Sequence, residues 1–240
     1  LLCAAVGGTR VHQWSSTDAL SKCNQSERAL STSFSEADSM FDKGNPQDSV
    51  HYNAMIAPML KQRFISIFWV QGESDVNPTD NTTTMQPQRG GVYYACAIKA
   101  MVADWRVKFA LPSIPFMWVL LSPWVGHEAA TSYYQLPAIR AAQFAVDELA
   151  HTGFASAIDL GDPDPTTNPW GGVHWRTKWP VGVRLAALAQ KFVYNNTTIQ
   201  TTGPLATTAT ATSSTIAINF DKNSLGAVGL KLQENICPFF

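Results

Sequence analysis

The chain has 240 residues, of which 45% are hydrophobic and 15% charged, and a formal net charge of -1. That composition suits one large α/β domain, or one domain plus part of another, and is far from that of a disordered chain. With no basic run the balance argues against nucleic acid or an anionic membrane as partner, and the longest apolar runs, 64–70 and 115–121, are too short to cross a bilayer.

Residues 1–6 are apolar and run into Gly7-Gly8, which reads as a buried strand ending in a turn. The stretch is too short for a signal peptide and lacks a basic n-region, so residue 1 is expected to lie inside a longer reading frame. A Ser-rich excursion, 15–49, follows, with short helices expected around 16–22 and 53–60. Residues 64–70 (Phe-Ile-Ser-Ile-Phe-Trp-Val) have the β-branched and aromatic character of a strand buried on both faces. After a polar loop containing Pro78, Pro87 and Gly90-Gly91, helical spacing of Tyr93, Cys96, Ala97, Ala100 and Met101 predicts a helix over 93–109. Residues 114–121 form the next strand. Leu136, Ile139, Gln143, Val146 and Leu149 mark a helix from Pro137 to Ala150. A third strand covers 154–160, a loop rich in Asp, Pro and Gly covers 161–179, and Pro180 opens a final helix with Val181, Leu185, Leu188 and Phe192 as its buried stripe.

Alternating strands and helices imply parallel pairing with right-handed crossovers, hence an α/β fold with a doubly wound parallel sheet over residues 1–200. From 201 to 240 the chain turns Thr-, Ala- and Ser-rich. The alternation in 215–220 predicts the start of a β-rich element with one solvated face.

Cys3, Cys23, Cys96 and Cys237 lack zinc-site spacing and leave two disulfides possible, with the pairing open. Sequons at Asn24, Asn81, Asn195 and Asn196, the low charge and the even cysteine count together favour a secretory-pathway protein, secreted or lysosomal.

Ligands of open parallel sheets bind beyond the carboxyl ends of the strands. There the sequence places Gly7-Gly8-Thr9-Arg10, then Gln71-Gly72-Glu73-Ser74-Asp75, then Gly161-Asp162-Pro163-Asp164 with Gly171-Gly172-Val173-His174. Any one of these segments is equally an ordinary turn or cap. Three at one rim bring together what ester hydrolysis needs, oxyanion donors and a base for a hydroxyl nucleophile. His12, His51, His127 and His151 have no such setting and read as surface or structural.

Trp69-Val70-Gln71-Gly72-Glu73-Ser74-Asp75 resembles the W-Y-Q-G-E-S-[ND] signature of the sialate O-acetylesterase family, within the larger SGNH hydrolase group. Further blocks are similar in the family's order: Gly7-Gly8-Thr9-Arg10-Val11 with Trp14-Ser15, Tyr52-Asn53-Ala54-Met55-Ile56-Ala57-Pro58, Asp104-Trp105-Arg106, 136–143, and Asp159 and Asp162 followed by Val173-His174, Lys178, Gly182 and Arg184-Leu185. The resemblance covers about the first two hundred residues. It implies an SGNH hydrolase-like fold and serine-histidine hydrolysis of O-acetyl esters on a carbohydrate, sialic acid or an acetylxylan-type wall sugar. His174 would be the general base, and Gly8 N–H and the Gln71 amide the oxyanion donors. Gly7, Arg10 and Glu73 would line the substrate site. No metal or organic cofactor is implied.

Three departures stand out. The family's G-Q-S-N-like serine block precedes its Gly-Gly block and is not among these residues. Ser74 is not the family's nucleophile, so the serine is expected on an upstream segment or chain, truncated or processed away. Two and three residues before the histidine, where many relatives keep an acid, stand Gly172 and Gly171, which leaves Asp162 or Asp164 to orient it. Trp175 replaces the usual proline after the histidine. The competing reading is a non-catalytic carbohydrate-binding protein derived from such an esterase.

Overall fold

The computed structural model describes residues 1–24, 48–76, 88–123, 135–162, 172–225 and 229–230. Asp164, Gly171, His127, Cys237, Asn81 and much of the Ser-rich excursion lie outside them.

Three parallel strands, β1 (Ile67–Trp69), β2 (Phe116–Leu120) and β3 (Thr152–Ser156), form one sheet in the order β1-β2-β3. All five residues of β2 are buried, as a parallel strand covered on both faces requires. Register sets Trp69 beside Trp118 and Trp118 beside Phe154 on one face, and Phe68 beside Met117 and Val119 beside Ala155 on the other.

Among the described residues, five α-helices accompany the sheet: α1 (Val11–Trp14), α2 (Thr17–Leu20), α3 (Gln88–Lys108), α4 (Gln135–Gln143) and α5 (Trp179–Phe192). The face bearing Trp69 and Trp118 packs against Tyr94, Ile98 and Met101 of α3 and Ile139 of α4. Across the sheet, Met117, Val119 and Ala155 lie under Val181 and Leu188 of α5, whose Leu185 and Phe192 complete the expected stripe. Each such fully buried aliphatic side chain contributes roughly 1.5–3 kcal/mol. Helices thus cover both faces, as the alternating pattern predicts.

The Asp-Trp-Arg block proves to be a clamp. Asp104 Oδ2 accepts from Ser16 Oγ at 2.7 Å, and that hydroxyl in turn accepts from Ala19 N to cap α2. Trp105 Nε1 donates to Trp14 O at 3.2 Å. The Arg106 guanidinium donates to the carbonyls of Ile114, Ala150 and His151, fixing the amino ends of β2 and β3. A disulfide, Cys23–Cys96, joins the segment after α2 to α3, and Cys3 is a free, exposed thiol.

Four expectations are corrected. Residues 1–6 form no strand: Ala4 and Val6 pack on the core, but among the described residues the backbone enters no ladder, and the turn after this segment is joined to the loop after β1 by the Gln71–Thr9 hydrogen bond. The third strand begins at Thr152 and ends at Ser156, not over 154–160. Arg106 sets its start, and Leu160 N–H closes a turn on Ala157 O beyond its end. Residues 52–59 form a π-turn followed by a 3₁₀ turn, because Pro58 has no amide with which to continue an α-ladder. The helix expected to Ala150 is α-helical only to Gln143 and tightens into 3₁₀ over Phe144–Glu148, which brings Asp147 Oδ1 within 3.2 Å of Trp118 Nε1.

Beyond residue 200, β4 (Ala206–Ala211) and β5 (Ile216–Phe220) pair antiparallel. Both faces are exposed over nearly all of the hairpin, where one covered face was expected. Among the described residues no helix is long and apolar enough to cross a membrane.

Candidate active site

The Gly-Gly turn and the Gln71 loop form one unit at the carboxyl rim. Gly8 has φ 73°, a left-handed conformation that glycine adopts without steric cost. Nothing among the described residues accepts from its N–H. Thr9 fixes the turn: its Oγ1 donates to Val6 O at 2.7 Å and accepts from Trp14 Nε1 at 2.9 Å. Its carbonyl accepts from Gln71 Nε2 at 3.1 Å.

Gln71 is buried, with both N–H groups and the oxygen of its side-chain amide hydrogen-bonded. Besides Thr9 O, Nε2 donates to Asp75 Oδ2, and Oε1 accepts from Tyr94 OH at 3.1 Å. The amide orientation follows, since a flipped Gln71 would point its oxygen at two acceptors. Asp75 Oδ2 also accepts from Val11 N at 3.1 Å, so this carboxylate ties the Gln71 loop to the start of α1. From below, Gln143 Nε2 donates to Gln71 O at 3.3 Å and to Val119 O at 2.9 Å, while Arg140 Nε donates to Leu121 O at 2.9 Å. Gly72 allows the loop its path: φ is 135°, and a Cβ there would lie 3.2 Å from Leu121 Cδ1 and 3.3 Å from Tyr94 OH.

Burial raises the pKa of Asp75, opposed by the Gln71 hydrogen bond and then by Arg10 and His12. Glu73 is likewise raised by burial, opposed by a backbone hydrogen bond and then by Lys178. The Glu73–Lys178 attraction links this loop electrostatically to the histidine segment. Arg10, almost wholly buried, faces Asp75; Gly7 is exposed, with open space where a Cβ would be.

His174 is presented differently. Val173 and Trp175 on either side are buried, which turns the imidazole between them out to solvent. Ser122, at the end of β2, donates from Oγ to Val173 O at 3.4 Å. Trp175 joins the apolar cluster under α5 and carries Lys178 Nζ 3.6 Å above its ring centre. The tryptophan that replaces proline is therefore an anchor for the loop.

Both carboxylate oxygens of Asp162 are held by Arg176, at 2.6 and 3.1 Å, and its N–H donates to Gly172 O at 3.1 Å. Asp159 is bound by the two terminal guanidinium nitrogens of Arg184, which lowers its pKa. The two aspartates brace the loop after β3 against the histidine segment and α5.

The structure thus joins the turn carrying Gly8 and Arg10 to Gln71 through Thr9, links Glu73 electrostatically to Lys178 of the histidine segment, and places Asp162 at the root of that segment. Sequence reasoning missed Asp75, Tyr94, Gln143 and Ser122. Asp75 and Gln143 stand inside the quoted motifs and were legible there as polar residues in apolar surroundings. Tyr94 and Ser122 carried no local signal.

Residues 1–188 match the family described as carbohydrate esterase, sialic acid-specific acetylesterase. The chain belongs to that family. It is 28% identical over 218 residues to the sialate O-acetylesterase of Homo sapiens, a stretch covering 85% of this chain and 38% of that protein. To the sialate O-acetylesterase of Rattus norvegicus it is 29% identical over 239 residues, 85% of this chain and 41% of that one. The chain therefore spans about two fifths of the length of these relatives. Its fold is similar to the crystal structure of a carbohydrate acetylesterase from Xanthomonas citri, with a TM-score of 0.62 and 25% identity, covering 90% of this chain and 41% of that one.

Proposed function

We propose that these residues form the larger part of the catalytic domain of a serine carbohydrate O-acetylesterase acting on O-acetylated sialic acid. A serine hydroxyl from polypeptide outside the 240 residues attacks the acetyl carbonyl while His174 takes its proton. The tetrahedral intermediate collapses to acetyl-serine as His174 returns that proton to the departing sugar alcohol, and water repeats the sequence to release acetate. The oxyanion takes the Gly8 N–H and one N–H of Gln71, displacing the Thr9 carbonyl from it. Glu73, Gly7 and Arg10 meet the sugar. Asp162 positions the His174 segment, and Asp164 is the other acid for that role.

The observation that carries this reading is the Gln71–Thr9 hydrogen bond, which seats the two donor segments side by side. Placement in the secretory pathway is supported by the Cys23–Cys96 disulfide and the exposed sequon asparagines 24 and 195.

Acetate release from O-acetylated sialic acid and from acetylxylan by the full gene product, beside its His174→Ala variant, tests the proposal. Release by the parent and loss of about a thousandfold or more in the variant is the expected result; full activity in the variant removes His174 from the mechanism. The 240 residues alone are expected to resist a serine-directed fluorophosphonate. The carbohydrate-binding reading draws on the absence of a G-Q-S-N-like block in these residues, and binding without any acetate release by the full product would establish it.

A further inference from the structure

Three helical arginines turn their guanidinium groups onto the ends of the strands, and two of them are well supplied with acceptors. Arg106 donates to the carbonyls of Ile114, Ala150 and His151. Arg184 donates to Ser156 O and to both carboxylate oxygens of Asp159, which raises its pKa. Arg140, on α4, is the exception. Its Nε donates to Leu121 O at 2.9 Å, but its Nη2 is buried with no hydrogen-bond partner. Burial lowers the pKa of this side chain, and no carboxylate raises it back as Asp159 does for Arg184. A donor left unpaired on a buried cation is costlier than a neutral one, so this atom calls for an acceptor.

The acids described at the rim are engaged by other cations. Asp75 is attracted by Arg10 and His12, Glu73 by Lys178, and Asp162 is held by Arg176. Among the described residues, none of these carboxylates is left over for Arg140.

Its position joins the two halves of the candidate site. Helix α4 starts at the rim with Gln135 and descends beside β2. Gln143 reaches Val119 O, and Arg140, about one turn nearer the rim, reaches Leu121 O. Leu121 touches the Gln71 loop, since its Cδ1 lies 3.2 Å from where a Cβ on Gly72 would be. Ser122, next in the chain, donates to Val173 O beside His174. The guanidinium is thus carried on Leu121-Ser122, the stretch that touches both halves, beyond the end of the central strand. That is where open parallel sheets bind their ligands.

We infer that Arg140 is an anion subsite of this rim, whose unpaired guanidinium nitrogen takes the carboxylate of an O-acetylated sugar acid, sialic acid in the reading above. The inference rests on the esterase reading only for the acetyl group. A guanidinium matches a carboxylate in shape as well as charge, so the bound acid supplies the acceptor that the fold does not. The xylose units of acetylxylan carry no carboxylate, and Arg140 therefore sets the two substrate classes apart.

The test uses the full gene product and its Arg140→Met and Arg140→Lys variants. Binding of N-acetylneuraminic acid, which has the carboxylate and no acetyl ester, is read by calorimetry beside its methyl ester. Kinetics compare O-acetylated N-acetylneuraminic acid, the methyl ester of that compound, acetylxylan and acetylated polygalacturonate. The parent is expected to favour acid over methyl ester by about tenfold to a hundredfold, mostly in KM, the scale of a charged hydrogen-bonded pair. Arg140→Met should bring that preference down to about one, and Arg140→Lys should recover part of it. Because acid and ester meet the same protein, the ratio reads the subsite even where a variant loses stability. A parent indifferent to the carboxylate overturns the inference, as does an Arg140→Met variant that keeps the parent's preference. Arg140 dependence on acetylated polygalacturonate alone keeps the anion subsite and removes sialic acid as its occupant. Acid binding that depends on Arg140, with no acetate released from any substrate, sinks the esterase reading and leaves the subsite standing.

Discussion

The Gln71 loop and the His174 segment share one rim and are held in opposite ways. Gln71 is buried in a closed set of hydrogen bonds running from Thr9 through Asp75 and Tyr94. His174 is exposed between buried neighbours, and Ser122 donates a hydrogen bond to the carbonyl of Val173 before it. In the proposed reaction a donor held this firmly is already in place, and the one exchange needed is of the Thr9 carbonyl for the oxyanion at a Gln71 N–H. A base that moves a proton between serine and sugar gains from exposure and some freedom.

Substitution at Asp75 breaks the rigid half most severely. Asp75→Ala strips an acceptor from Val11 N and Gln71 Nε2 at once, and is expected to cost about 2–4 kcal/mol in denaturant unfolding, since each buried donor left unpaired costs about 1–3 kcal/mol. Asp75→Asn, whose amide oxygen can accept both bonds, should retain most of that stability.

A smaller effect sharpens the electrostatic side. Burial raises Glu73, so the folded state holds that proton to higher pH than the unfolded state does. Glu73 therefore contributes most below the ordinary carboxylate pKa, and its contribution falls as pH rises through the raised value. Glu73→Gln should flatten the decline in melting temperature as pH rises above the ordinary glutamate value of about 4.3. A decline as steep as the parent's would show that Glu73 titrates normally. The smallest change in stability belongs to the other half: His174→Ala should shift unfolding by less than about 0.5 kcal/mol, as exposed substitutions do.

The order of three strands and their helices was legible from apolar runs and helical spacing, but the run 64–70, read as buried on both faces, is a strand only over Ile67–Trp69 with Phe68 exposed. The Val181–Phe192 stripe shows that spacing best, its periodicity matching the contacts of α5. Strand bounds were less legible. The start of β3 is set by Arg106 reaching across from α3, a contact no local pattern reveals. At the candidate site, the Gln71 loop was readable from its position just beyond the end of β1. Gln71's partners were not, because Tyr94 comes from a distant helix and its spacing reads simply as core. Residues 1–6 read as a strand from composition alone, but a ladder needs a neighbour as well as an apolar sequence.

The Cys23–Cys96 bond closes a ring of chain, its ends 73 residues apart. Constraining a loop of that size is worth on the order of 4 kcal/mol in the chain-entropy picture. The ring also governs what proteolysis can do. A single cut anywhere between residues 24 and 95 opens it without releasing a fragment, so the nicked protein migrates as one species until a reductant separates the two pieces.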